Sequence, residues 1–249
     1  MSENNEPKNI AFVAGATGYT GQYVVEFLRQ RRVTTIAHVR PDSSNLAQWH
    51  KKYDAMEVKV DTTPWKFDAM TKTFRELKPT IIFALLGTTK KRMKALQRAG
   101  EDPEAAGYDA VDYRLTAMLI QAAVAAEITP RFVYLSAIGV KQGTSNPYYQ
   151  ARVKAEEKLM STGLSYVIAR PSFITGPDRE DRPMEKFGAK TVDGLLAIAG
   201  SLGATALRER YQSLTGRQLA EALVKVALDS KTKRQILETD ELRRLLSKK

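Results

Sequence analysis

The sequence predicts an α/β protein with a doubly wound parallel sheet of Rossmann type, as a single domain with a small C-terminal helical substrate region. Three observations carry that prediction. Short apolar runs recur along the chain, segments of helical periodicity separate most of them, and a glycine-spaced loop follows the first run.

The runs read as strands are IAFVA (10–14), TTIAHV (34–39), MEVKV (56–60), TIIFALL (80–86), RFVYLS (131–136) and SYVIAR (165–170). Most are continuous rather than alternating, as strands covered by helices on both faces should be. Helices are expected from Gly18 to Arg31, Trp65 to Leu77, Asp109 to Glu127 and Pro147 to Ser161, the last opened by Asn146 as N-cap and Pro147 at the first helical position. Right-handed crossovers then give a Rossmann core over residues 8–170. Residues 171–249 form the substrate or cap region, with a charged loop from Asp178 to Lys186 and helices near Val192 to Ser201 and Arg217 to Asp229. No low-complexity linker or repeat divides the 249 residues.

A chain of this length buries roughly 70 to 75 per cent of its unfolded surface, so its core needs no staples. It has no cysteine and only two histidines, His38 and His50, which argues against disulfides, thiolate chemistry and a metal cage. The opening MSENNEPKNI has no basic region followed by an apolar run, and no apolar stretch suits a bilayer span, so a cytoplasmic location is expected. The formal charge of +11 suits a phosphate-bearing partner. Its densest run, TTKKRMKALQR, lacks the aromatic platforms of single-strand binders, which argues against a nucleic-acid partner.

Gly15, Gly18 and Gly21 of GATGYTG lie between the first strand and the first helix. Such glycines provide a tight turn, backbone approach to a pyrophosphate and close helix–strand packing, with the phosphate at the helix N-terminus. Ala16, Thr17, Tyr19 and Thr20 complete the expected cradle. The second strand ends HVRPDS; Arg40 there suits the 2′-phosphate of NADP(H), whereas Asp42 keeps NAD(H) open. NADP(H) is favoured. Asp61 is placed for the adenine edge, and Leu86, Gly87 and Thr88 should pass beneath the adenosine and pyrophosphate. Met93, Leu96 and Ala99 recur at helical spacing beyond them, predicting a short basic helix that acts as a lid.

Through GATGYTG, FALLGTTK, FVYLSAIGV, KAEEKL and ARPSFITGPDREDRP the chain resembles the atypical, extended-type short-chain dehydrogenase/reductases, and within them the Tat-interacting-protein-like oxidoreductases and their bacterial relatives. The resemblance implies an NAD(P)-dependent oxidoreductase in which a serine polarises the substrate carbonyl, a tyrosine moves the proton and a lysine holds the nicotinamide ribose. Ser136 matches the serine and Lys154 the lysine, but Gln150 occupies the tyrosine position four before Lys154. Tyr149 is the expected proton carrier. Five residues apart, Tyr149 and Lys154 diverge by about 140° in a regular helix, so that assignment needs a π-bulge between them. Tyr148 and Arg152 form a competing pair at spacing four, with a guanidinium that is bulkier than lysine and stays charged. Pro171 and Phe173 should line the nicotinamide side. A small organic carbonyl or alcohol is the implied substrate; a regulator that binds NADP(H) without catalysis, with a protein partner, is the alternative.

Overall fold

In a computed structural model, residues 9–88, 90–100, 102, 107–176 and 213–247 are described. Strands β1 (Ile10–Ala14), β2 (Thr34–His38), β3 (Lys59–Asp61), β4 (Ile81–Ala84), β5 (Arg131–Leu135) and β6 (Ser165–Arg170) form one parallel sheet with a strand near the C-terminus, β9 (Gln235–Glu238), in the order β3-β2-β1-β4-β5-β6-β9. A separate ladder pairs β7 (Ile174–Thr175) with β8 (Leu214–Thr215). The direction of strand succession reverses between β1 and β4, which opens a crevice above their carboxyl ends.

Helices cover both faces. Helices α1 (Tyr19–Gln30), α7 (Gly216–Leu228) and α8 (Thr239–Ser247) share one core with Val13, Val133 and Val167. Helices α3 (Phe67–Leu77), α5 (Leu115–Ala125) and α6 (Pro147–Met160) share the other with Phe12, Ile82 and Phe132. Fully buried β1, β4 and β6 interiors explain why these runs are continuous in sequence rather than alternating.

Several elements depart from expectation for local reasons. Strand β3 starts at Lys59 rather than Met56, because Glu57 takes a left-handed turn at φ 55°. Strand β4 ends at Ala84; Leu85 stays in the core, with its N–H on the Ala14 carbonyl (2.9 Å), and the chain leaves the sheet at Leu86. Helix α2 (Leu46–Asp54) escapes sequence reading because its only buried residue is Tyr53. Strand β9 has only one buried residue, Leu237, and so lacks an apolar run. The described part of residues 171–249 therefore completes the sheet and one helical layer. The expected helix near 192–201 and the charged loop 178–186 lie outside the described residues.

Candidate functional site

The glycine loop is held by its neighbours. A Cβ on Gly15, at φ 89°, would sit 2.6 Å from the Leu85 carbonyl oxygen, and one on Gly21 would collide with the Gly15 carbonyl. Glycine is required at both. The buried Tyr53 hydroxyl donates to the Ala16 carbonyl (2.7 Å), and Gln22 Nε2 donates to that of Thr17 (3.3 Å), so α1 and α2 together set the loop. Gly18 is exposed and caps α1 without a side-chain hydrogen bond, which leaves the helix entrance open to an anion. Tyr19 donates from its hydroxyl to the Thr175 carbonyl (3.2 Å), tying the loop to the segment after β6, and Thr20 is buried in the first turn.

Arg40 lies two residues beyond β2, partly exposed, with Asp42 at 3.1 Å. Such a surface pair is worth well under about 1 kcal/mol, so a phosphate competes for the guanidinium at small cost. Asp61 is more committed: its carboxylate accepts from the Thr63 hydroxyl (2.8 Å) and N–H (3.2 Å), with buried His38 Nε2 at 3.9 Å. Burial lowers the His38 pKa, opposed by its bond to the Thr63 carbonyl and by Asp61. Leu86 and exposed Gly87 lie at the mouth of the crevice, and Thr88 is buried behind them. On the opposite rim Pro171 is buried and its carbonyl accepts from Ile138 N–H (3.0 Å), while the Phe173 side chain is exposed.

Helix α6 is α-helical throughout; the π-helical turn of this region is Asp109–Arg114, leading into α5. Tyr149 and Lys154 therefore diverge by about 140° around α6. Lys154 Nζ donates to Asp109 Oδ1 (3.0 Å) on an exposed face, beside a cavity of about 340 Å³ lined by Met93, Tyr108, Asp109, Pro147, Gln150 and Lys154, among others. Met93 belongs to α4 (Lys90–Arg98), the short basic helix foreseen in sequence. Arg114 and Lys154 hold the Asp109 carboxyl below its usual range.

Ser136 is buried, and its hydroxyl donates to Glu156 Oε1 (2.5 Å). Glu156 also receives Arg170 through Nε on Oε1 (3.0 Å) and through Nη2 on Oε2. Glu156 and Lys154 stand about 200° apart on α6. The set Ser136, Tyr149 and Lys154 is thus not drawn together: its serine serves a buried ion pair, its lysine faces outward, and the Tyr149 ring packs within 4 Å of a position open at Gly139.

The pair at spacing four is different. The Arg152 guanidinium lies over the Tyr148 ring, 4.5 Å from its centroid, and Tyr108 and Tyr149 meet that ring edge-on at 5.3 and 5.1 Å. Arg152 is buried; Nη1 donates to the Leu135 carbonyl (2.7 Å) and Nη2 to Asp112 Oδ1 (2.9 Å). Asp112 Oδ2 accepts from Thr88 N–H (3.0 Å), so one carboxylate joins α6 to the loop after β4. A Cβ on Gly87 would stand 3.6 Å from Asp112 Oδ1 and 3.9 Å from Arg152 Nη2, which places the Arg152–Asp112 ion pair against the loop after β4. Burial disfavours the Arg152 charge, but Tyr148, Tyr134 and Asp112 outweigh it and raise the guanidinium pKa. Sequence reasoning overlooked Asp112; its one signal is that it is the nearer of two carboxylates ahead of the apolar stretch LTAMLIQAAVA.

The chain matches the model of an NAD(P)H-binding family over residues 15–199 and belongs to that family. It is 28% identical over 178 residues to "Protein fmp52-1, mitochondrial" of Aspergillus terreus, covering 69% of each chain. With "Protein fmp52, mitochondrial" of Aspergillus fumigatus it shares 28% identity over 184 residues, covering 71% of each. Among solved structures it is similar to the oxidoreductase ylbE of Lactococcus lactis (TM-score 0.59, 17% identity, 95% of this chain and 94% of that one). It is also similar to UDP-glucose 4-epimerase of Thermotoga maritima (TM-score 0.59, 15% identity, 95% and 81%). These structural likenesses establish the Rossmann-like fold. The open α1 entrance and the glycines whose Cβ positions are filled by backbone fit a dinucleotide. Among the described residues no helix is long and apolar enough to cross a membrane, and no cluster of three metal-ligating side chains occurs.

Proposed function

We propose that the protein is an NADP(H)-dependent oxidoreductase acting on a carbonyl or alcohol of a small organic molecule, with Tyr148 as proton carrier and Arg152 as the cation beside it. The observation that supports this reading is the Tyr148–Arg152 pair at spacing four, whose guanidinium lies over the Tyr148 ring and reaches to 3.9 Å from a Cβ position at Gly87. It replaces Tyr149 and Lys154, which α6 turns apart.

A nicotinamide held in the crevice would supply or accept the hydride. Tyr148 gives its phenolic proton to the developing alkoxide, or takes it in the reverse direction, and the fixed guanidinium charge stabilises the resulting phenolate. Asp112 keeps Arg152 in place and partly neutralises it. Ser136 acts through Glu156 as a support of α6 rather than as a donor to substrate. Arg40 selects the 2′-phosphate, Gly15 to Gly21 hold the pyrophosphate, and Phe173 and Pro171 wall the ring.

A second reading, an NADP(H)-binding regulator without catalysis, draws on one observation: both Nη groups of Arg152 are already bonded within the protein, and the Ser136 hydroxyl is spent on Glu156. Fluorescence titration with NADPH and NADH, then NADPH oxidation against a panel of aldehydes and ketones, separates the two. The oxidoreductase reading expects turnover that Tyr148→Phe abolishes while NADPH affinity stays within about threefold and Tyr149→Phe remains active. Turnover that survives Tyr148→Phe refutes the proton assignment, and NADPH binding without oxidation of any carbonyl favours the regulator.

A further inference from the structure

A second cavity lies at the opposite end of the sheet from the dinucleotide crevice. It has a volume of about 370 Å³ and is lined by Arg131, Ser165, Ser230, Thr232, Lys233 and Arg234, with Gly163 at its edge. Arg131 opens β5 and pairs in register with Ser165, which opens β6. Lys233 stands two residues ahead of Gln235, the first residue of β9, which pairs with Val167 of β6. Residues in one row share a sheet face. The topology therefore brings a guanidinium, a hydroxyl and an ammonium-bearing residue together beneath the end of α7.

Two donors of this group lack an acceptor. Arg131 spends Nη1 on the Ala227 carbonyl (2.5 Å) and Nη2 on the Thr232 carbonyl (3.0 Å), but its buried Nε–H has no partner, and neither has the buried Ser165 hydroxyl. Burial lowers the Arg131 pKa, and Asp229 opposes the shift. Asp229 and the carboxyl end of α7 offset much of the Arg131 charge at its Nη edge. Lys233 and Arg234 leave the cavity net positive, because among the described residues neither has a carboxylate within ion-pair reach. Arg234 adopts a left-handed backbone at φ 40°, a strained conformation at the rim. Two unpartnered donors beside two cations without a carboxylate partner among the described residues suit an oxyanion better than a cation or an apolar group.

We propose that this cavity is an anion site for a phosphate or phosphomonoester, distinct from the dinucleotide crevice. It does not depend on the oxidoreductase reading. The test follows the arginine Nε–H resonances of the full chain by ¹H–¹⁵N NMR with NADPH saturating, so that the cofactor's own phosphate positions are filled. Inorganic phosphate and glycerol 1-phosphate are titrated separately, with chloride at matched ionic strength as control. A saturable shift of Arg131 Nε–H is expected. Affinity should fall about tenfold or more in Lys233→Ala/Arg234→Ala while NADPH affinity is unchanged. Tighter binding of the ester assigns the remaining volume to its organic part; equal binding assigns the site to free phosphate. No saturable shift, an equal shift with chloride, or undiminished affinity in the double variant overturns the proposal.

Discussion

Arg152 and Asp112 form an ion pair at 2.9 Å with both side chains buried, and the same carboxylate receives the Thr88 N–H. Removing one partner leaves a charge in a site with no water to solvate it. Asp112→Ala should lower unfolding free energy by about 3–5 kcal/mol in urea denaturation, whereas Asp112→Asn, which keeps an acceptor for Thr88, should lose less. Equal and small losses for both variants would show that the pair contributes little.

Arg40 lies two residues beyond the carboxyl end of β2, paired with exposed Asp42. Arg40→Ala should weaken NADPH binding by about 10- to 100-fold, the worth of a charge-assisted hydrogen bond to phosphate, and leave NADH binding nearly unchanged. Parallel weakening of both cofactors would refute the 2′-phosphate assignment.

Gly21 has no room for a side chain, since the Gly15 carbonyl occupies the Cβ position. Gly21→Ala should destabilise the fold by about 1–3 kcal/mol through backbone displacement and reduce affinity for NADPH and NADH alike. Retained affinity at native stability would mean that the loop tolerates another path.

His38 is buried with its pKa lowered, chiefly by burial. The unfolded chain therefore binds a proton, near the ordinary value of about 6.5, before the folded chain does. More protons on the unfolded state mean that stability rises with pH. The urea midpoint should fall as pH drops through 6.5 and level off below the folded pKa. His38→Gln should flatten that dependence between pH 8 and 5; an unchanged slope would assign it to other groups.

Much of the architecture was legible because the signals are local. Strands β1 and β6 coincide with their apolar runs, since a strand buried on both faces must be apolar at every position. The glycine loop was equally legible, because its backbone path excludes side chains at fixed spacings. Strand β9 was not legible: it has one buried residue, and its place is set by pairing with β6 and by α8 against it.

By itself the sequence determined the parallel sheet, the phosphate-binding turn, the basic helix after β4 and the absence of cysteine chemistry. Tertiary structure decided which α6 side chains turn inward: Arg152 is buried and Lys154 exposed. Helical rotation makes Tyr148–Arg152 and Tyr149–Lys154 alternatives, and only the docking of α6 on β5 and the Asp109–Arg114 turn chooses between them. It seats Arg152 against Leu135 and Asp112, and leaves Lys154 to pair with Asp109 at the surface. An inward guanidinium needs a buried carboxylate to meet it, and the partner, 40 residues away in sequence, is visible only once the chain has folded.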